Sequence, residues 1–153
     1  MADKYVDIDT LKYLLYDVHE LEKLLERERF VDHDKESLDM FLDSSKDFAD
    51  RELFPYFKEM DENPAFHEDG QVYVHKQVET MMKKGGELGF ISSSFDYEVG
   101  GLQIPLMAST ASSYILDAAN NHLPGYAGLT QGAAELIVHF AKKDLSDKYV
   151  RDM

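Results

Sequence analysis

The chain has 153 residues, no cysteine and a formal net charge of −14. That length suits one domain able to bury about 70% of its unfolded surface without a covalent staple. The acidity repels phosphate backbones and anionic lipids, and the missing cysteines remove disulfides and thiolate metal sites, so neither nucleic acid nor a membrane is an expected partner. Residues 1–7 lack the apolar core of a signal peptide. No apolar run approaches the roughly 18–20 residues of a membrane helix. A cytoplasmic location is the expectation.

Asp9 and Thr10 are placed to cap a helix over 11–25, in which Leu11, Leu14, Leu15, Val18, Leu21 and Leu25 recur at helical spacing. Such a stripe needs a partner surface, since each large apolar side chain gains about 1.5–3 kcal/mol on burial. A polar connection over 30–35 leads to Asp34, the N-cap expected for a second helix. Its inner face carries Leu38, Phe41, Leu42, Ser45, Phe48, Ala49, Glu52 and Leu53. Phe54-Pro55 ends or kinks it, because a residue before proline is pushed out of the helical region. Residues 56–60 resume it briefly.

Residues 61–70 read as a loop with turn signals at Asn63-Pro64 and Asp69-Gly70, and 71–74 as extended. A third helix follows over 75–87, with Val78, Met81, Met82 and Gly85 inward. Residues 88–105 form the strongest break in the chain, with Gly89, Gly100, Gly101 and Pro105. Yet Phe90, Ile91, Phe95, Tyr97, Leu102 and Ile104 are too apolar for a solvated loop, so it must lie against something. Pro105 suits the first turn of a fourth helix reaching about 121, rich in small residues and expected to be buried on most sides. After a turn at 122–125, a fifth helix over 127–141 is expected to point Leu129, Leu136, Ile137 and Phe140 inward. A last helical segment runs to Met153 with no stop signal, as in a chain cut from a longer one. The fold class is all-α, a bundle of five to six helices with a Gly/Pro-containing apolar loop between its halves. Residues 1–36 are an amphipathic extension and 37–153 the domain.

No complete active site emerges from the residues. The six histidines offer no Glu-x-x-His pair of the kind that helical di-metal bundles use. Glu135 and His139 could form half a site but read as a surface pair, and Asp32-His33-Asp34 reads as a polar connection. Ser92-Ser93-Ser94 lacks the Gly-x-Ser-x-Gly context of a nucleophile elbow. The glycine pairs lack the strand–helix setting of a dinucleotide fingerprint. No catalytic, cofactor-binding or metal residue is assigned.

Several segments in order resemble the N-terminal helical domain of the acyl-CoA dehydrogenase family. Phe48-Ala49-Asp50-Arg51-Glu52-Leu53-Phe54-Pro55 is similar to the family helix that ends in Glu-x-x-Pro. Leu88-Gly89-Phe90-Ile91, followed by Tyr97-Glu98-Val99-Gly100-Gly101-Leu102, resembles its leucine-glycine and tyrosine-glycine-glycine loop, with Glu98-Val99 inserted. Residues 114–121 resemble the small-residue helix that follows. Ala134-Glu135-Leu136-Ile137 and Leu145-Ser146-Asp147-Lys148-Tyr149-Val150 resemble the next helix pair, with Ala141 in place of a glycine. The leucine-rich extension is similar to that of a longer branch, which includes 3-methylmercaptopropionyl-CoA dehydrogenases.

The resemblance implies an FAD flavoenzyme that removes hydrogen from the α and β carbons of an acyl-CoA thioester, passes electrons to an electron-transfer flavoprotein and works as a homo-oligomer. In the family, flavin contacts and the glutamate base lie in middle and C-terminal domains, so these residues alone are expected neither to hold FAD nor to turn over substrate. Their implied part is a wall of the acyl pocket, with Tyr126, Leu129, Thr130 and Gln131 matching a segment that touches the acyl tail. The alternative is a free-standing all-α protein-interaction module that docks through the first helix or the apolar loop. A dehydrogenase and an oxidase on this fold are not distinguished by these residues.

Overall fold

An apolar helix face folds only if another element covers it, and the face of Leu38, Phe41, Leu42, Ser45 and Phe48 is covered by the small-residue helix far along the chain. A computed structural model describes residues 5–150. Its helices are α1 (Ile8–Tyr13), α2 (Glu22–Leu25), α3 (Lys35–Phe48), α4 (Phe57–Glu62), α5 (Gln77–Glu87), α6 (Leu106–Asn120), α7 (Pro124–Phe140) and α8 (Lys143–Tyr149). The only strands among the described residues are β1 (Phe66–Glu68) and β2 (Gln71–Tyr73), a small antiparallel hairpin. The all-α reading therefore holds. No helix among the described residues is long and apolar enough to cross a membrane.

Helix α3 starts where its cap requires. Asp34 accepts from Ser37 N at 2.8 Å, and the Ser37 hydroxyl accepts from Asp34 N at 2.9 Å. The bond from Ser37 N to the ionised form is the largest of the effects that hold the Asp34 carboxyl below the usual carboxylate range. Against α6, Ser45 Oγ meets Ser112 Oγ at 2.7 Å, both buried, with Ala108, Ala111 and Ala119 keeping the backbones close. After Phe48 the helix widens to a π-turn, Ala49–Leu53, then tightens at Phe54–Tyr56 around Pro55 before α4 resumes. The residues between α5 and α6 fold inward as their composition requires. Phe90 is buried, with ring centroids 5.8 Å from Phe41 and 5.4 Å from Phe48.

Four expectations are corrected. The helix over 11–25 is not continuous. It begins at Asp7, whose carboxylate caps Thr10 N, passes through a π-turn at Leu14–Val18, and breaks at Glu20, which takes a left-handed φ of 52°. The break turns Leu15, Tyr16 and Leu21 into the shared core and leaves Leu14 and Val18 exposed. Next, the loop over 61–70 contains β1, closed on β2 by Asp69 and Gly70, both at positive φ, the signature of a type I′ hairpin turn. Thirdly, α6 is buried on one face only, with Leu106, Tyr114 and Asp117 open. Finally, three of the four residues expected inward on α7 are exposed, and only Ile137 is partly buried. Leu129, Leu136 and Phe140 are 81%, 63% and 82% exposed, and the buried residues are Ala127 and Ala134. Small residues let α7 lie close to α5 and α6, so its large side chains point away.

Residues on both sides of position 36 contribute to one core, which joins Val6, Leu15, Tyr16 and Leu21 to Leu38, Leu42, Leu53 and Ile115. Polar ties reinforce the contact: Lys12 reaches Asp43 at 2.8 Å and Tyr5 donates to Asp50 at 2.6 Å.

Candidate functional site

The segment between α5 and α6 is built as a folded platform. Its inner end is anchored on α6, where Ser93 Oγ lies 2.6 Å from Ser109 Oγ in a buried contact. Its two limbs pair through Ile104 N to Ser93 O at 2.8 Å and Gln103 N to Phe95 O at 2.9 Å. The outer end is a single 3₁₀ turn, Tyr97–Val99, closed by Gly100 at φ 89°. Gly101 follows because a Cβ there would lie 2.1 Å from the Phe95 carbonyl oxygen.

This platform faces α7 and the residue after α8 across a groove of about 520 Å³. From the platform come Ile91, Ser92, Phe95, Tyr97 and Val99, and from the helical side come Thr130, Gln131, Ala134 and Val150. Among the described residues, the lining holds no acid, lysine, arginine or histidine. Its polar groups are hydroxyls, one carboxamide and backbone. Apolar walls with few neutral polar groups suit an apolar ligand. They do not suit an anionic diphosphate. The amides of the glycine pair are already used, Gly100 N on Tyr97 O and Gly101 N on Asp96 O, both at 3.0 Å.

The four residues expected to touch a ligand are not brought together. Thr130 and Gln131 line the groove, whereas Tyr126 and Leu129 lie with His122 and Gly128 along a different hollow. The helical turn explains the division, since positions 126 and 129 share the outer face of α7. Gln131 also borders a hollow of about 290 Å³ between α5, α6 and α7, where it meets Met81, Phe90 and Asp117. Partial desolvation beside this hollow pushes the Asp117 carboxyl above the usual carboxylate range, although the residue stays open to solvent on its other side.

The sequence says only that the segment over 88–105 must lie against something and marks no pocket residue in it, yet the structure makes Ile91, Phe95, Tyr97 and Val99 one whole wall of the groove. Their signal was the one already noted, apolar residues in a glycine-rich break. Residues ahead of α3 also reach this wall. Arg29 pairs with Asp96 at 2.5 Å, and His33 Nε2 lies 3.0 Å from Leu102 O and 3.4 Å from the Tyr97 hydroxyl. No pattern in the polar stretch over 30–35 marks His33 for that contact. Glu135 and His139 sit together on α7, and among the described residues no group of acids and histidines could hold a metal ion.

A family model described as acyl-CoA dehydrogenase, N-terminal domain, matches residues 35–153. Among curated proteins, none matches the chain.

Proposed function

The chain belongs to the acyl-CoA dehydrogenase family through its N-terminal domain, and from that premise we propose that its groove walls the acyl pocket of an FAD-dependent dehydrogenase acting on an acyl-CoA thioester. The observation that carries the reading is the pairing of Thr130 and Gln131 with Phe95, Tyr97 and Val99 across a groove with no charged lining among the described residues. An acyl tail needs burial and no counter-charge. Each methylene there contributes about 1–3 kcal/mol of discrimination, so wall shape sets chain length. Tyr126 and Leu129, on the outer face of α7, would meet the tail only where another domain closes over them.

The flavin is a different matter. FAD carries a diphosphate, and among the described residues the groove has neither a cation nor an uncommitted glycine amide to receive it. The residues present do not fit the cofactor, and no hydride or proton transfer is derived from them. In this reading flavin, base and electron-transfer flavoprotein contacts belong to other domains of a homo-oligomeric parent. The leucine-rich N-terminal extension supports a parent similar to the longer branch that includes 3-methylmercaptopropionyl-CoA dehydrogenases, and a cytoplasmic location suits its composition.

The test is titration of the chain with octanoyl-CoA, followed by amide chemical shifts. Perturbations should centre on Ile91, Phe95, Thr130 and Gln131, and T130W should abolish them by filling the groove. Shifts confined to residues outside the groove, or none at all, would sink the reading. A second reading, an interaction module docking through α7, draws on the exposed Leu129, Leu136 and Phe140. It becomes the better one if T130W leaves partner capture intact while L136E abolishes it.

A further inference from the structure

The groove wall is fixed at one end by its own domain and at the other by residues that precede the family-matched stretch. The inner limb is locked by Ser93 on Ser109 of α6. The outer turn contributes Tyr97 and Val99 to the groove. Residues 29–33 hold it from outside the platform. Arg29 Nη2 lies 2.5 Å from Asp96 Oδ1. That oxygen is shut off from solvent and accepts no well-aligned hydrogen bond, so the guanidinium charge is what offsets its burial. The Arg29 carbonyl accepts from Gln103 Nε2 at 2.6 Å, and His33 meets Leu102 O and the Tyr97 hydroxyl.

Two backbone observations point the same way. Gln103 takes a left-handed φ of 52°, a conformation that costs a non-glycine residue and persists only when its surroundings over-determine it. The bond from its side chain to Arg29 O is one such determinant. Asp96 O also accepts from both Val99 N and Gly101 N, at 3.1 and 3.0 Å. Pulling on its side chain therefore moves the whole turn that faces the ligand.

We propose that residues 29–33 form a strap that positions the outer wall of the groove, with Arg29 and His33 as positioning residues that set how tightly it holds an acyl chain. Neither residue lines the groove; both act through Asp96, Tyr97, Leu102 and Gln103. The inference rests on the acyl-groove reading above and adds the device that tunes it.

The test compares the unaltered chain with R29A, D96N and R29K. Octanoyl-CoA affinity is read by calorimetry, local opening by amide hydrogen exchange, and global stability by thermal melting. In R29A and D96N the affinity should fall about fivefold, the factor expected of one partly exposed ion pair. Exchange at Val99, Gly101 and Gln103 should quicken while amides of α3 and α6 keep their rates. R29K, which retains the charge, should recover most of the affinity. A melting shift with exchange raised equally throughout would show a merely structural role and overturn the proposal. So would unchanged affinity in R29A when the unaltered chain binds. If the unaltered chain does not bind octanoyl-CoA, the acyl-groove reading fails. The exchange data then judge the strap separately: faster exchange limited to residues 96–103 supports it, and no change overturns it.

Discussion

The side-chain amide of Asn120, at the end of α6, donates to the carbonyl of Leu53 at 3.0 Å, and its carbonyl accepts from His122 N at 3.1 Å. Leu53 closes the π-turn just before Pro55, which cannot donate a hydrogen bond. Both residues are buried, so no water replaces Asn120. N120L should lower unfolding free energy by about 1–3 kcal/mol, because the Leu53 carbonyl is left unsatisfied. Urea unfolding measures it. A loss within error would show that the π-turn relaxes to satisfy its own carbonyl.

A glycine of the platform and a glycine of α7 should respond oppositely to alanine. At Gly101 the new Cβ would overlap the Phe95 carbonyl oxygen, so the platform must shift. G101A should cost about 1–3 kcal/mol and weaken octanoyl-CoA binding. Gly128 lies in α7 with nothing within 4 Å of an added Cβ. G128A should stabilise by about 0.5–1 kcal/mol through helix propensity alone. Thermal melts of both variants check the contrast, and a stabilising G101A would refute the close approach.

Alkaline pH should expose the seam between α3 and the residues ahead of it. Burial first, then the Asp39 carboxylate, pushes the Tyr16 phenol well above its ordinary value of 10.0. Its hydroxyl donates to Asp39 at 3.1 Å. A folded pKa above the unfolded one means that the native state holds the proton longer. The stabilisation is fully present below about pH 10 and is lost as pH rises towards the folded value. Y16F should flatten this alkaline decline in unfolding midpoint. An ultraviolet tyrosinate titration of the unaltered chain should contain a late phenol that Y16F lacks.

The outer face of α7 should make the chain sticky. Tyr126, Leu129, Ala133, Leu136 and Phe140 fall on one stripe, and its large members are exposed. Sedimentation should show self-association, or a hydrophobic dye should bind, and L129S/L136S/F140S should suppress both with the fold intact. A monomer that binds no dye would count against this expectation.

Much of the domain is legible locally. Asp34 followed by Ser37, the face from Leu38 to Leu53, and Pro55 after Phe54 are each short-range signals, and each sets one boundary or kink. The candidate site is legible in fragments. Thr130 and Gln131 were marked through family likeness, whereas Phe95, Tyr97 and Val99 passed as packing. A glycine-rich segment is read by its breaks, and no local pattern says which side of such a segment stays uncovered.

What the sequence determined by itself was the all-helical class, the Asp34 cap, and which residues on each helix are apolar. Those depend on backbone chemistry and on a period of about 3.6 residues, both encoded within a turn or two. Only the tertiary structure decided whether an apolar stripe found a partner. It broke the first helix at Glu20 to bury Leu21, left Leu129 and Phe140 open, and joined Arg29 to Asp96 beside the groove. Burial and ion pairing depend on what arrives from elsewhere in the chain, and periodicity carries no record of that.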